Sequence, residues 1–351
     1  VSAQHRMSDE EARALFGPDA ERMLYLMGEE QEGEPKLLAD KRDQFAKALD
    51  RMHMDTSGFP TMRWPDLEEI TGPMLPGQLW VVLARPENGK TTFCLNNGLK
   101  WVMQQPAHGF AYFGTEEGPD SQQLRFAAIL TGNPPSEVVA GNYAAIGGAI
   151  AEREIEKALI EINRGRYADL VFFAEETRPS LKDVRRAADD AVRLGLPILV
   201  LDHFHRMAVP ETSNHVATLT ETVRQIKQLA VTTGLVILMA AQARRVDGLA
   251  RFMPPNPESG KGTGGLEEEA DVMLGLFRPI GRKNDVGEFK PLTKAEIGAF
   301  ERGELNQADV LQPHTMGVKV LKHRRNGDYS GRVVKLHCER GLLASHTGRN
   351  P

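Results

Sequence analysis

The stretch from Gly77 to Thr92, G-Q-L-W-V-V-L-A-R-P-E-N-G-K-T-T, constrains this chain more than any other. An apolar run ends in a tight loop and then opens into residues of helical spacing, which predicts strand, turn and helix in immediate succession. A turn of this kind is a phosphate-binding loop. Backbone N–H groups of the turn and the helix N-terminus wrap an anion, Lys90 reaches the β- and γ-phosphates of a nucleotide, and the Thr91 hydroxyl holds Mg²⁺. The candidate nucleotide-binding residues are Ala84, Arg85, Pro86, Glu87, Asn88, Gly89, Lys90, Thr91 and Thr92. The usual pattern begins with glycine where this chain has Ala84, so Gly89 is the single glycine of the loop, standing where backbone must approach phosphate most closely. The competing reading is an ordinary strand-to-helix turn with a surface lysine.

Two acidic positions complement the loop. P-I-L-V-L-D, from Pro197 to Asp202, is an apolar run ending in a carboxylate, placed to orient a metal-bound water; the alternative is an aspartate that caps the strand end. F-G-T-E-E, from Phe113 to Glu117, ends another apolar run, and a carboxylate there serves as general base for an attacking water. Glu116 is the first choice and Glu117 the reserve, against the alternative that either is a surface charge. His203 and His205 flank Phe204 and would share a face if the strand continued, which raises a metal pair with Asp202; no third ligand of matching spacing accompanies them, and they read instead as strand-end residues beside the site. Gln242 follows the apolar run 236–240 and is suited to hydrogen-bond a γ-phosphate or the lytic water. L-K-H-R-R-N-G-D-Y-S-G, from Leu321 to Gly331, reads as a hairpin turn presenting Lys322, Arg324 and Arg325.

Apolar runs at 110–115, 170–174, 198–201, 236–240, 272–277 and 318–321 alternate with helical patterns near 148–163, 181–194 and 216–233. In the last of these, Val216, Leu219, Val223, Ile226 and Ala230 fall on one face. Strands apolar on both sides and separated by helices imply an α/β fold with a mostly parallel sheet between helices. Segments 244–268 and 279–315 break the rhythm, the first rich in Gly, Pro and Arg and directly after a central strand, the second with a helical stretch near 293–304. Charged helices are expected over 8–30 and 35–54, the second with an apolar stripe of Leu37, Leu38, Phe45, Leu49 and Met52. The Pro- and Gly-punctuated stretch 55–77 follows. This gives a helical arm over 1–57, the main domain over 58–345 and a tail over 346–351.

With 351 residues, 41% of them hydrophobic and 26% charged, the chain suits one large domain with an appendage. No run approaches the 18 or so apolar residues of a membrane span, and V-S-A-Q-H-R-M has no signal-peptide core. Two cysteines, Cys94 and Cys338, make neither a disulfide framework nor a zinc ribbon, and an intracellular, cytoplasmic setting is expected. A net charge of −5 means that nucleic-acid binding would need a local basic surface.

Taken in order, these motifs resemble the RecA-like ATPase domain of hexameric replicative helicases of the DnaB type, from about Gly58 to Glu339. A-R-P-E-N-G-K-T-T-F is similar to the family's phosphate loop, including its Ala-Arg-Pro opening. T-E-E followed by Arg125 is similar to the strand carrying the catalytic glutamate, which falls on Glu116. V-L-D-H-F-H-R-M aligns with the Walker-B strand at Asp202, and M-A-A-Q with the strand bearing the sensor Gln242. S-G-K-G-T-G-G-L-E-E-E-A-D-V, from Ser259 to Val272, resembles the second DNA-binding loop, and K-H-R-R-N-G-D, from Lys322, the finger segment that acts on a neighbouring subunit. The spacing of that segment is closer to phage primase-helicases, leaving Arg324 or Arg325 as the finger, with Lys322 beside it.

The resemblance implies a RecA-like P-loop NTPase core preceded by a short helical arm. It implies ATP and Mg²⁺ as cofactors, single-stranded DNA as partner, and a homo-oligomeric, hexameric ring with nucleotide between subunits. Loops near 206–215 and 244–265 would face the channel, with Arg245, Gly260, Lys261, Gly262 and Gly264 as DNA-binding candidates. The double glutamate is shared with RadA- and KaiC-like ATPases, there is no room for the N-terminal collar of DnaB, and no primase zinc site is present. Primase or loader partners therefore stay open. The expectation is an ATP-driven single-stranded DNA translocase or helicase of minimal, phage-like form in a bacterial cell. The alternatives are a RadA- or KaiC-like ATPase or recombination mediator, and a nucleotide-gated assembly module.

Overall fold

In a computed structural model of the chain, the described residues are Phe45 and 54–345, without 105, 175–178, 208–214, 247–251, 261–264, 284–288, 291, 306–309, 311, 313 and 326. The helices expected over 8–30 and 35–54 lie almost wholly outside these residues, as does the 346–351 tail. Contacts divide the chain into Val1–Ser57 and Gly58–Pro351, and the architecture that follows is that of the second unit.

Every residue of β1 (Leu79–Ala84) is buried, as an all-apolar run requires of a strand covered on both faces. Its parallel neighbours are β5 (Val236–Gln242) and β6 (Val272–Phe277). Beyond β5 the parallel sheet continues through β4 (Ile198–Asp202), β2 (Phe110–Gly114) and β3 (Val171–Phe173). On the other side of β6 the chain adds three antiparallel strands, β9 (Thr315–His323), β10 (Val333–Glu339) and β11 (Leu342–Ser345). The full order is β11-β10-β9-β6-β1-β5-β4-β2-β3, with β7 (Arg282–Lys283) and β8 (Phe289–Lys290) forming a separate pair.

Alternation along β1 divides the core. Trp80, Val82 and Ala84 face one cluster, built with α1 (Pro65–Thr71), α2 (Lys90–Met103), α3 (Pro119–Thr131), the short α4 (Pro135–Val139) and α5 (Ala149–Asn163). Leu79, Val81 and Leu83 face the other, built with α6 (Leu181–Arg193), α7 (His215–Thr233) and α8 (Gly265–Glu269). A further helix, α9 (Lys294–Glu301), lies inside the expected 293–304 stretch. Gly98 on α2 admits the Phe110 ring, which a Cβ would meet at 2.6 Å.

Several expectations are corrected. The 55–77 stretch is not merely a punctuated connection: it contains α1, and Trp64 just before it is fully buried, stacks on Phe93 with ring centroids 5.0 Å apart, and donates to the Leu343 carbonyl at 2.9 Å. On α7 the buried face comprises Leu219, Val223, Ile226 and Ala230, whereas Val216, in the first turn, is 53% exposed. Strand β4 stops at Asp202 and a 3-10 turn at Phe204–Arg206 follows in place of the continued strand, with the His203 and His205 rings 6.2 Å apart. Among the described residues no helix is long and apolar enough to cross a membrane.

Candidate active site

Parallel register brings four strand ends to one edge of the sheet. Ala84 is level with Gln242, and Gly114 is level with Asp202. Because β5 lies between β1 and β4, Gln242 stands between the phosphate loop and Asp202. Ligands of open α/β sheets bind at such carboxyl-end crevices.

The loop itself is shaped for an anion. Glu87 and Gly89 adopt positive φ values of 63° and 79°, and Gly89 caps α2 in the left-handed conformation. A Cβ on Gly89 would also lie 2.6 Å from the Met316 methyl, the movable end of a flexible side chain, so it is the positive φ that calls for glycine. The fourteen-residue α2 begins at Lys90, leaving first-turn N–H groups without intrahelical acceptors. Burial pushes the Lys90 ammonium below its ordinary value, and the carboxylates of Asp202 and Glu116 pull it back. Arg85 departs from the outward orientation of a loop residue: it is buried, and its guanidinium donates to the Met253 carbonyl at 2.6 Å.

Thr91 donates to Asp202 Oδ2 at 2.5 Å, so a hydroxyl and a carboxylate oxygen converge beside Lys90. This oxygen-rich pair suits a hard divalent cation arriving with a nucleotide. Tyr112, which the sequence reading passed over, donates to the same Asp202 oxygen at 2.6 Å from the buried face of β2. Its hydroxyl stays protonated, because burial first and the Asp202 charge second push its pKa well above the ordinary tyrosine value. The signal for Tyr112 was its alternation on β2 toward the side that carries α2.

The two glutamates part ways. Glu117 is held bidentately by Arg125 at 2.6 Å through both contacts. Glu116 is half exposed, with Arg206 Nε 3.1 Å and His203 Nε2 3.7 Å from its Oε1. His205 Nδ1 accepts the backbone N–H of Gln242 at 3.0 Å, which removes that nitrogen from any ligand set. Among the described residues no group of three or more His, Cys, Asp or Glu is arranged to hold a metal.

Lys322 and Arg324 lie at the opposite edge of the sheet, since His323 is level with Val272 and Trp80, at the start of β6 and β1. Lys322 donates to the Glu267 carbonyl and, at 3.3 Å, to that of Glu268. Arg324 reaches Asp271 at 3.3 Å and the Glu268 carbonyl at 2.8 Å. Arg325 is exposed. Neither Lys322 nor Arg324 joins the phosphate loop of its own chain. Of the DNA-binding candidates, Arg245 is exposed, Gly260 is buried and bridges Ala243, and Lys261, Gly262 and Gly264 lie outside the described residues.

A mostly parallel sheet with a Gly-Lys-Thr loop after its central strand and an aspartate ending a nearby one defines a P-loop protein of RecA-like fold. Residues 58–333 match the DnaB-like helicase C terminal domain, and the chain belongs to that family. The replicative DNA helicase DnaB of Haemophilus influenzae is 24% identical over 260 residues, covering 73% of this chain and 53% of that protein. The corresponding helicase of Buchnera aphidicola subsp. Schizaphis graminum is 23% identical over 282 residues, covering 77% of this chain and 58% of that one. The chain thus spans little more than half the length of these relatives. A solved DnaB-like replicative helicase, described with its interactions with primase, superposes with a TM-score of 0.62 at 15% identity, covering 95% of this chain and 71% of that one.

Proposed function

We propose that the chain is the motor of a replicative-type DNA helicase: an ATP hydrolase that assembles into a ring and moves along single-stranded DNA. The observation that carries this reading is the convergence of Lys90, Thr91, Asp202, Gln242 and Glu116 on one sheet edge while Lys322 and Arg324 are held at the other. A nucleotide bound by one chain is then completed by a neighbour.

The roles follow from position. The phosphate loop and Lys90 bind the β- and γ-phosphates, and Thr91 and Asp202 would hold Mg²⁺, which offsets phosphate charge. Glu116, held by a single Arg206 contact rather than a bidentate pair, accepts a proton from water as the water oxygen bonds to the γ-phosphorus and the bond to the β–γ bridging oxygen breaks, yielding ADP and phosphate. Gln242 hydrogen-bonds the γ-phosphate or that water and reports the change into the segment that follows. Arg245 and the Gly260–Gly264 stretch, with Lys261, grip DNA phosphates without regard to sequence. Partners such as a primase or loader, a cytoplasmic setting, a phage source and the division at residue 58 between arm and motor complete the proposal.

The test is displacement of one strand of a forked duplex with ATP and Mg²⁺, which the wild-type chain should perform and Lys90→Ala should not. ATP hydrolysis stimulated by DNA without displacement would instead favour a RadA- or KaiC-like ATPase or recombination mediator.

A further inference from the structure

Arg85 occupies the second position of the phosphate loop, yet its side chain turns inward and is 9% exposed. Its guanidinium donates at 2.6 Å to the carbonyl of Met253, a residue 168 positions away. One residue earlier, the Ala84 carbonyl accepts the N–H of Ala243 at 2.9 Å. Ala243 pairs with Gly260 in an antiparallel bridge, and Arg244 N–H donates to the Ser259 carbonyl at 2.8 Å. The excursion that leaves β5 is thus tied to the phosphate loop at two points, by backbone at its stem and by a guanidinium on its returning limb.

That limb is firmly seated. Phe252 is 4% exposed and meets Phe300 of α9 edge-on, with centroids 5.8 Å apart. Pro255 packs where a Cβ on Gly275 of β6 would come within 3.0 Å. Arg85 is also bound into the turn that surrounds the phosphate, because its own carbonyl accepts the Asn88 N–H, at a long 3.3 Å. The planar fork of arginine is pre-organised, so the contact with the Met253 carbonyl costs less side-chain freedom than a lysine would lose. A surface position in an anion-binding turn has no need of such an arrangement.

We propose that Arg85 is a positioning residue that couples occupancy of the phosphate loop to the conformation of the limbs 243–246 and 252–260. A triphosphate drawing in the Arg85–Asn88 turn displaces the guanidinium, and Met253 and its packed neighbours move with it. The functional consequence, nucleotide-dependent affinity for single-stranded DNA, rests on the reading that this segment meets DNA. Coupling is reciprocal, so DNA tightens nucleotide by the same factor.

The full chain is tested with a non-hydrolysable ATP analogue in two ways: the rate of trypsin cleavage after Arg244 or Arg245, and the Kd for a single-stranded oligonucleotide. In the wild type the analogue should slow cleavage several-fold and tighten DNA binding by about fivefold or more, the usual lower range of allosteric coupling. Measured at an analogue concentration that saturates each variant, Arg85→Gln should bring both ratios close to one, and Arg85→Lys, which keeps one donor, should recover part of each. If Arg85→Gln does not fold, Arg85→Lys carries the test, with ratios below wild type expected. Wild-type ratios in the folded variants would overturn the proposal, as would loss of analogue binding with no change in coupling per bound analogue. If the cleavage ratio depends on Arg85 but the wild type binds no DNA, the coupling stands and the DNA reading fails.

Discussion

The hydroxyl of Tyr112 donates to Asp202 Oδ2 at 2.6 Å, the same oxygen that accepts from Thr91. Tyr112 is fully buried and reaches Asp202 across the β2–β4 pair, so the orientation of the carboxylate is fixed from beneath while Thr91 approaches from the site. Phenylalanine keeps the ring and its contact with Phe173, at a centroid distance of 6.0 Å, and removes only the donor. Tyr112→Phe should lower unfolding free energy by about 1.5–3 kcal/mol, as for a hydrogen bond to a charged group, and should reduce ATP turnover. Chemical denaturation and steady-state ATPase assays check this; unchanged values in both would mean that Tyr112 does not position Asp202.

The two adjacent glutamates should separate cleanly. Glu116→Gln is expected to fold normally and lose turnover by about 10²-fold or more, the contribution of a general base. Glu117→Gln should retain most turnover and cost about 1 kcal/mol or less, because its pair with Arg125 is partly exposed. The reverse ranking in ATPase and denaturation measurements would move the base to Glu117.

Much of this site was legible because its parts are local. The apolar runs of β1, β4 and β5 end at Ala84, Asp202 and Gln242, and a parallel sheet then aligns them without further information. What escaped the sequence depends on contacts between distant segments. The Tyr112 hydroxyl reads as an ordinary strand residue until β4 is laid beside β2. Likewise β10, with its alternating exposed and buried residues V-V-K-L-H-C-E, gives no continuous apolar run, and α3 begins behind Gly118 and Pro119 with polar Asp120, Ser121, Gln122 and Gln123. His203 and His205 do stand beside the site at the strand end, His203 next to Glu116 and His205 on the Gln242 N–H, but the 3-10 turn after Asp202 was hidden from a periodicity that assumes a strand goes on.

Asp271 organises the edge opposite the site. It accepts from Lys227 at 2.6 Å, from the Leu79 N–H at 2.8 Å and from Arg324 at 3.3 Å. Asp271→Ala leaves the mostly buried Lys227 ammonium without its carboxylate, and should destabilise the domain by about 3–5 kcal/mol in chemical denaturation. A change within about 0.5 kcal/mol, the range of ordinary surface substitutions, would show that the network is dispensable.

Arg324 tests the sharing of sites between chains. Arg324→Ala should keep ATP binding and lose about 10³–10⁵ in turnover, as for an arginine supplied from a neighbour. Mixed with Lys90→Ala chains it should regain partial activity, because some interfaces then combine an intact loop with an intact arginine. A mixture as inactive as both parents, despite demonstrated subunit exchange, would pass the role to Arg325.

The rate of ATP hydrolysis with and without single-stranded DNA tests the motor most directly. The wild-type chain should hydrolyse ATP faster when saturated with single-stranded DNA, and the stimulation should weaken as salt rises, in keeping with phosphate contacts. Lys90→Ala should be inactive in both conditions while remaining folded. Slow turnover indifferent to DNA would contradict the account and mark the chain as a nucleotide-gated assembly module.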